Sequence, residues 1–154
     1  MKKYIVFILV AIMASIGASA QKDGNKAERE RWFKEMRQYK HEFIAKELDL
    51  TKEQQEKFFT LYDEMESSTR KLNRDTRAME RRVKESGDNA TDIEYEKAAE
   101  AMFELKAKEG AIEQSYLKKF KTVLTPRQLY KLKVAERKFT REVMRHHSKA
   151  KSRK

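Results

Sequence analysis

The sequence predicts an all-α protein of four helices with a long central antiparallel hairpin, and three observations carry that prediction. After residue 20 the 154-residue chain holds only three Ile and four Val, which leaves little material for strands. Its apolar residues recur at alternating spacings of four and three through two long stretches, the repeat of a helical seam. Turn-forming residues gather at 49–51, 86–92 and 124–126, and with a polar lead-in at 21–25 they divide the chain into four helical segments.

The first twenty residues read as an address. Lys2 and Lys3 precede an apolar run and then Ala18-Ser19-Ala20, the order of a secretory signal peptide cleaved before Gln21. The uncharged run contains Ser15, Gly17 and Ser19 and falls short of the roughly 20 apolar residues a spanning helix needs. No Cys stands near the cleavage point to carry a lipid, so the mature protein is expected to be exported and soluble.

The first helix, expected from near residue 26 to 48, places Phe33, Met36, Phe43 and Ile44 along one side with Trp32 and Tyr39 beside them. The second, from 51 to near 85, carries Phe58, Tyr62, Met65, Thr69, Leu72, Thr76, Met79 and Val83 as an unbroken seam. At ~1.5 Å per residue it extends on the order of 50 Å, more than a small core requires. The third, from near 92 to 122, repeats the seam with Tyr95, Ala98, Met102, Leu105, Glu109, Ile112 and Tyr116. Glu109 interrupts it, and Gly110 beside it suggests a bend or a close helix crossing. The short polar turn at 86–92 folds these two into the hairpin. The fourth begins at Thr125 and carries Leu129, Leu132, Phe139 and Val143. The helical domain is thus expected over 21–148, with 149–154 a basic disordered tail.

Charge narrows the function. Charged residues make up 40% of the chain, and after residue 20 there are 34 Lys and Arg against 25 Asp and Glu, a net +9. For an exported protein the available polyanions are membrane surfaces, cell-wall polymers and acidic proteins rather than nucleic acid. The absence of Cys excludes disulfide staples and thiol catalysis, so stability must come from helix packing.

Leu50-Thr51-Lys52-Glu53-Gln54 and Leu124-Thr125-Pro126-Arg127-Gln128 share the form Leu-Thr-x-x-Gln. Each fits a capping box: the Thr hydroxyl accepts from the amide three residues on, and the Gln side chain reaches back to the Thr amide. Pro126 at the first helical position strengthens the second, because its missing N–H would have had no helical partner. Two such motifs in a small, exported, cysteine-free helical chain resemble the Spy/CpxP family of periplasmic proteins. The resemblance implies four helices that dimerise into a thin curved cradle and bind unfolding client proteins without ATP, limiting aggregation and aiding refolding in envelope stress. The alternative it admits is an envelope stress regulatory adaptor or a metal-responsive sensor of the same family. The basic C-terminal segment is not part of the motif.

Arg70, Arg74, Arg77, Arg81 and Lys84, spaced four, three, four and three, form one cationic stripe. With Met65, Leu72 and Met79 they offer charge, planar stacking and adaptable apolar contact to many sequences, a candidate client-binding surface. The alternative is a solvated helix face. Trp32, Phe33 and Met36 join the candidate surface if they are exposed, and otherwise belong to the core. His41, His146 and His147 lack the spacing of a metal site on one helix, so no metal and no cofactor is expected. Nothing pairs a nucleophile with a base or forms a phosphate loop, so the chain is not expected to be an enzyme. Expected partners are unfolded or aggregation-prone clients and a second copy of the chain. Nucleic acid is not among them, and membrane contact is expected only through the leader before cleavage.

Overall fold

The computed structural model describes residues 22–151. The leader expected at 1–20, its cleavage point before Gln21 and residues 152–154 of the tail lie outside the described residues. Of the described residues 92% are helical, in four α-helices with no strand among them. These are α1 (Lys22–Leu48), α2 (Lys52–Ser86), α3 (Asp92–Phe120) and α4 (Pro126–Lys151), with a 3-10 turn at Gly87–Asn89 between α2 and α3. α4 runs three residues past 148, into the segment expected to be a disordered tail. The described chain forms two compact units, one of Leu50–Leu129 and one of the residues up to Asp49 and from Tyr130 onward.

The larger unit is the α2–α3 hairpin, and three local signals set its ends. Thr51 caps α2 with a complete capping box to Gln54. Thr91 caps α3 in the same way, its hydroxyl accepting from the Glu94 amide while the Glu94 carboxylate accepts from the Thr91 amide at 2.9 Å. Those hydrogen bonds from Thr91 hold the Glu94 carboxyl below its usual range. Gly87 ends α2 at φ 50° and ψ −130°, a conformation that a residue with a Cβ rarely adopts.

Hairpin packing is uneven along its length. At the open end Phe58 and Tyr62 are fully buried, and Phe120 stacks between them with ring centroids 5.2 Å and 6.3 Å away. Phe59 and Tyr116 complete the aromatic cluster. Midway, Asn73 Nδ2 donates to Glu109 Oε1 at 2.6 Å across the seam. This is the partner of the carboxylate that interrupts the α3 repeat. Toward the turn only Thr76 and Ala98 are buried, while Leu72, Val83 and Leu105 are half-buried and Met79, Tyr95 and Met102 stand exposed. Gly110 is not at a close crossing: a Cβ there would meet nothing within 4 Å, and α3 continues as helix through it.

In the other unit α1 and α4 meet through long side chains. Phe139 is buried with Tyr39 and Phe43 at ring distances of 5.6 Å and 5.8 Å, and Ile44, Leu48, Leu132 and Ala135 are buried around them. Burial, followed by the charge of Glu142, pushes the Tyr39 phenol up. Ion pairs Lys138–Glu47 at 2.6 Å and Lys131–Asp49 at 2.8 Å flank this contact. Asp49 takes the left-handed conformation, φ 53°, that stops α1.

Two outcomes follow from the hairpin. Gly110→Ala should raise stability by about 0.5–1 kcal/mol in urea unfolding, because the site is open helix and glycine there only adds chain entropy to the unfolded state; a loss would indicate a close neighbour at that position. Glu109 is held below its usual range, first by the Asn73 hydrogen bond and then by Lys106, against the opposing effect of burial. A carboxyl depressed in the folded state stabilises above its unfolded pKa and loses that contribution as pH falls through the folded value. The advantage of the parent over Glu109→Ala should therefore be full at neutral pH and shrink below about pH 4.5.

Candidate functional site

Each Leu-Thr-x-x-Gln motif first closes its own helix. The Gln54 N–H donates to Thr51 Oγ1 and the Thr51 N–H to Gln54 Oε1, both at 3.2 Å. Gln128 and Thr125 repeat the pair at 3.3 Å and 3.0 Å. These bonds leave the side-chain NH₂ of both glutamines unspent. Gln54 Nε2 donates to Gln128 Oε1 at 3.1 Å, and Gln128 Nε2 donates back to Gln54 Oε1 at 3.2 Å. The Gln54 amide also donates to the Val123 carbonyl at 3.0 Å. The two motifs are thus one clasp that joins the first turns of α2 and α4 to the chain leaving α3. Leu50 and Leu124 beside it are buried, and Pro126 starts α4 exposed. A carboxamide is required, since a carboxylate has the acceptors but no donor.

The cationic stripe lies on the exposed side of α2. Arg70 pairs with Glu66 at 3.3 Å, whereas Arg74, Arg77, Arg81 and Lys84 hold no ion pair among the described residues. The apolar residues grouped with them do not share that face. Leu72 stands two residues from both Arg70 and Arg74, and Met79 two from both Arg77 and Arg81, a spacing that points side chains to opposite sides of a helix. Met65 is buried in the seam, Leu72 is half-buried, and Met79 alone of the three is exposed, at 46%.

The apolar neighbours of the stripe come from α3 instead. Asn73 lies three residues from Arg70 and four from Arg77, on the same side of α2, and it bonds Glu109. Glu109 continues the seven-residue row of Tyr95 and Met102. The contact therefore sets Arg70 and Arg77 beside this α3 row on one face of the hairpin, while Arg74 and Arg81 lie about a quarter turn round α2 from Asn73. Tyr95 is 48% exposed, Met102 51% and Phe103 88%. Periodicity assigns Tyr95 and Met102 to the seam, and it carries no sign of which flank of the seam lies open; Phe103, outside the repeat, gives no signal at all.

On α1, Trp32 and Phe33 meet edge to face with centroids 5.0 Å apart. Phe33 is 60% exposed, so it is not core, while Trp32 and Met36 are half-buried. His41 is half-buried, and the side chains of His146 and His147 lie outside those described. Among the described residues no three His, Asp or Glu gather to hold a metal ion, and no helix is long and apolar enough to cross a membrane.

The described residues thus form a strandless helical protein, its hairpin closed by paired cap glutamines and carrying cations and apolar side chains on one open face. The chain belongs to the LTXXQ motif family, that of the Spy/CpxP periplasmic proteins, whose match covers residues 36–136 and both motifs. That family is helical and non-enzymatic. No curated protein and no solved structure matches the chain.

The clasp predicts strong coupling between its members. Gln54→Glu keeps the acceptors but removes both donors and should cost about 2 kcal/mol of stability. In a cycle of Gln54→Ala, Gln128→Ala and the double variant, urea unfolding should show a coupling energy of about 1 kcal/mol or more. Additive losses would show that each glutamine acts only as its own helix cap.

Proposed function

We propose that the protein is an ATP-independent chaperone of the periplasm that binds unfolding clients, limits their aggregation and aids refolding in envelope stress. The observation that carries this reading is the open hairpin face, where Arg77 stands without an ion pair among the described residues on the side that exposes Tyr95, Met102 and Phe103, with Arg74 and Arg81 next to it round α2. A guanidinium stacks and donates, a thioether adapts its shape, and an aromatic ring adds apolar area, a mixture that suits weak contact with many unfolded sequences. Family membership and the leader-like residues 1–20 support export, with cleavage before Gln21, and the family resemblance supports a homodimer.

The charges speed encounter and the apolar groups hold, so capture should weaken as salt screens the arginines. The test is light scattering of a denatured, aggregation-prone client diluted into the protein without ATP, against an inert basic protein of similar size. Suppression across several unrelated clients is expected. Arg74→Gln with Arg77→Gln and Arg81→Gln, or Met102→Ser with Phe103→Ser, should reduce it severalfold at unchanged helix content. Suppression no greater than the control's would put a regulatory adaptor with a single partner in its place.

A further inference from the structure

The positive charge of this chain is not spread over it. Residues 21–125 hold 23 basic and 23 acidic side chains and are neutral, while 126–154 hold eleven Lys and Arg against two Glu, so the whole net +9 lies from α4 onward. The cations of α4 fall into two sets. Lys131 and Lys138 are committed inside their unit, to Asp49 and Glu47. On the opposite side Tyr130, Lys133, Arg137, Arg141 and Met144 follow one another at spacings of three, four, four and three, which is one face of a helix. All five are exposed, Tyr130 by 72% and Met144 by 65%. Lys133 pairs with Glu136 at the edge of the row, and Arg137 and Arg141 hold no ion pair among the described residues. Arg137, Arg141 and Met144 lie beyond residue 136, where the family match ends.

We propose that this face of α4 docks the protein on an anionic phospholipid surface. The row is about 20 Å long, it contains no carboxylate, and it sets two apolar side chains on the same helix face as the cations. That arrangement fits a flat negative plane with an apolar layer just beneath it, where a tyrosine ring and a thioether can sink while the guanidinium groups stay at the headgroups. A soluble acidic chain would satisfy the arginines and give Tyr130 and Met144 nothing. With the rest of the molecule neutral, a negative plane also draws this end of the chain first. Membrane contact would then extend beyond the leader, through residues distinct from those of the hairpin face that holds clients.

Co-sedimentation tests it, with the protein as the cell processes it and vesicles of phosphatidylglycerol mixed with phosphatidylcholine or of phosphatidylcholine alone. The parent should bind the anionic vesicles, bind the neutral ones far less, and be released by high salt. Lys133→Gln with Arg137→Gln and Arg141→Gln should weaken binding about fivefold per cation, on the order of 100-fold together. Tyr130→Ser with Met144→Ser should weaken it without changing its salt dependence. The hairpin variant with Arg74, Arg77 and Arg81 changed to Gln carries the same charge loss and should bind as the parent does. Circular dichroism confirms that each variant is folded. The proposal is overturned if the α4 variant binds as tightly as the parent, if both triple variants lose binding equally, if neutral vesicles bind as well, or if the parent binds soluble polyglutamate and not vesicles.

Discussion

Two side-chain amides hold the ends of this fold. Gln54 and Gln128 each finish a helix cap with their oxygen and then use the remaining valences on one another. A capping residue ordinarily satisfies one orphan backbone group and stops there. Here the same atom that closes a helix also fixes where that helix starts relative to another. This explains why the motif asks for Gln: Glu could complete a capping box, but only the carboxamide offers acceptors to the cap and donors to its opposite number. Local helix chemistry and tertiary structure share one set of atoms.

The rest of the hairpin divides its residues between stability and surface. Packing is concentrated in Phe58, Tyr62 and Phe120 beside the clasp, where aromatic area is large and stacking adds to it. Farther along, the Asn73–Glu109 hydrogen bond keeps register where apolar area is small. Past it the seam carries Thr76 and Ala98, small side chains that bury little and leave Met79, Tyr95 and Met102 in solvent. Exposed apolar groups on a long two-helix arm are tolerable because the far end, not the arm, supplies most of the burial.

Much of this was legible in the sequence, and the exceptions have a physical pattern. The hairpin, the starts of α2, α3 and α4 and two capping boxes are written in residues within a few positions of one another, and the structure reproduces them, whereas α1 already begins at Lys22 inside the expected polar lead-in and α4 runs past 148. The third box, Thr91 with Glu94, has the same physics and lacks the Leu and Gln that draw attention to the other two. What the sequence concealed is lateral. Residue spacing shows that Glu109 breaks the seam but not that Asn73 receives it. It shows an arginine stripe but not which α3 row shares its face, and the apolar residues nearest in number, Leu72 and Met79, prove to be on the other side. The amides of Gln54 and Gln128 were hidden in a subtler way, because each already had a sufficient local explanation.

The clasp also has a place in time. Its two glutamines are 74 residues apart, and closing so long a loop from an open chain carries an entropic cost that no pair of amide bonds repays alone. Once the α2–α3 hairpin has zipped, the end of α3 already stands beside the start of α2, and only the turn at 121–125 remains to be ordered. A route in which the hairpin zips first spares the amide pair most of that cost. On such a route the pair closes after the folding transition state, and an interaction made that late governs how fast a native molecule opens rather than how fast it is made. The protein would then fold at the pace of its hairpin and persist for as long as the latch stays shut.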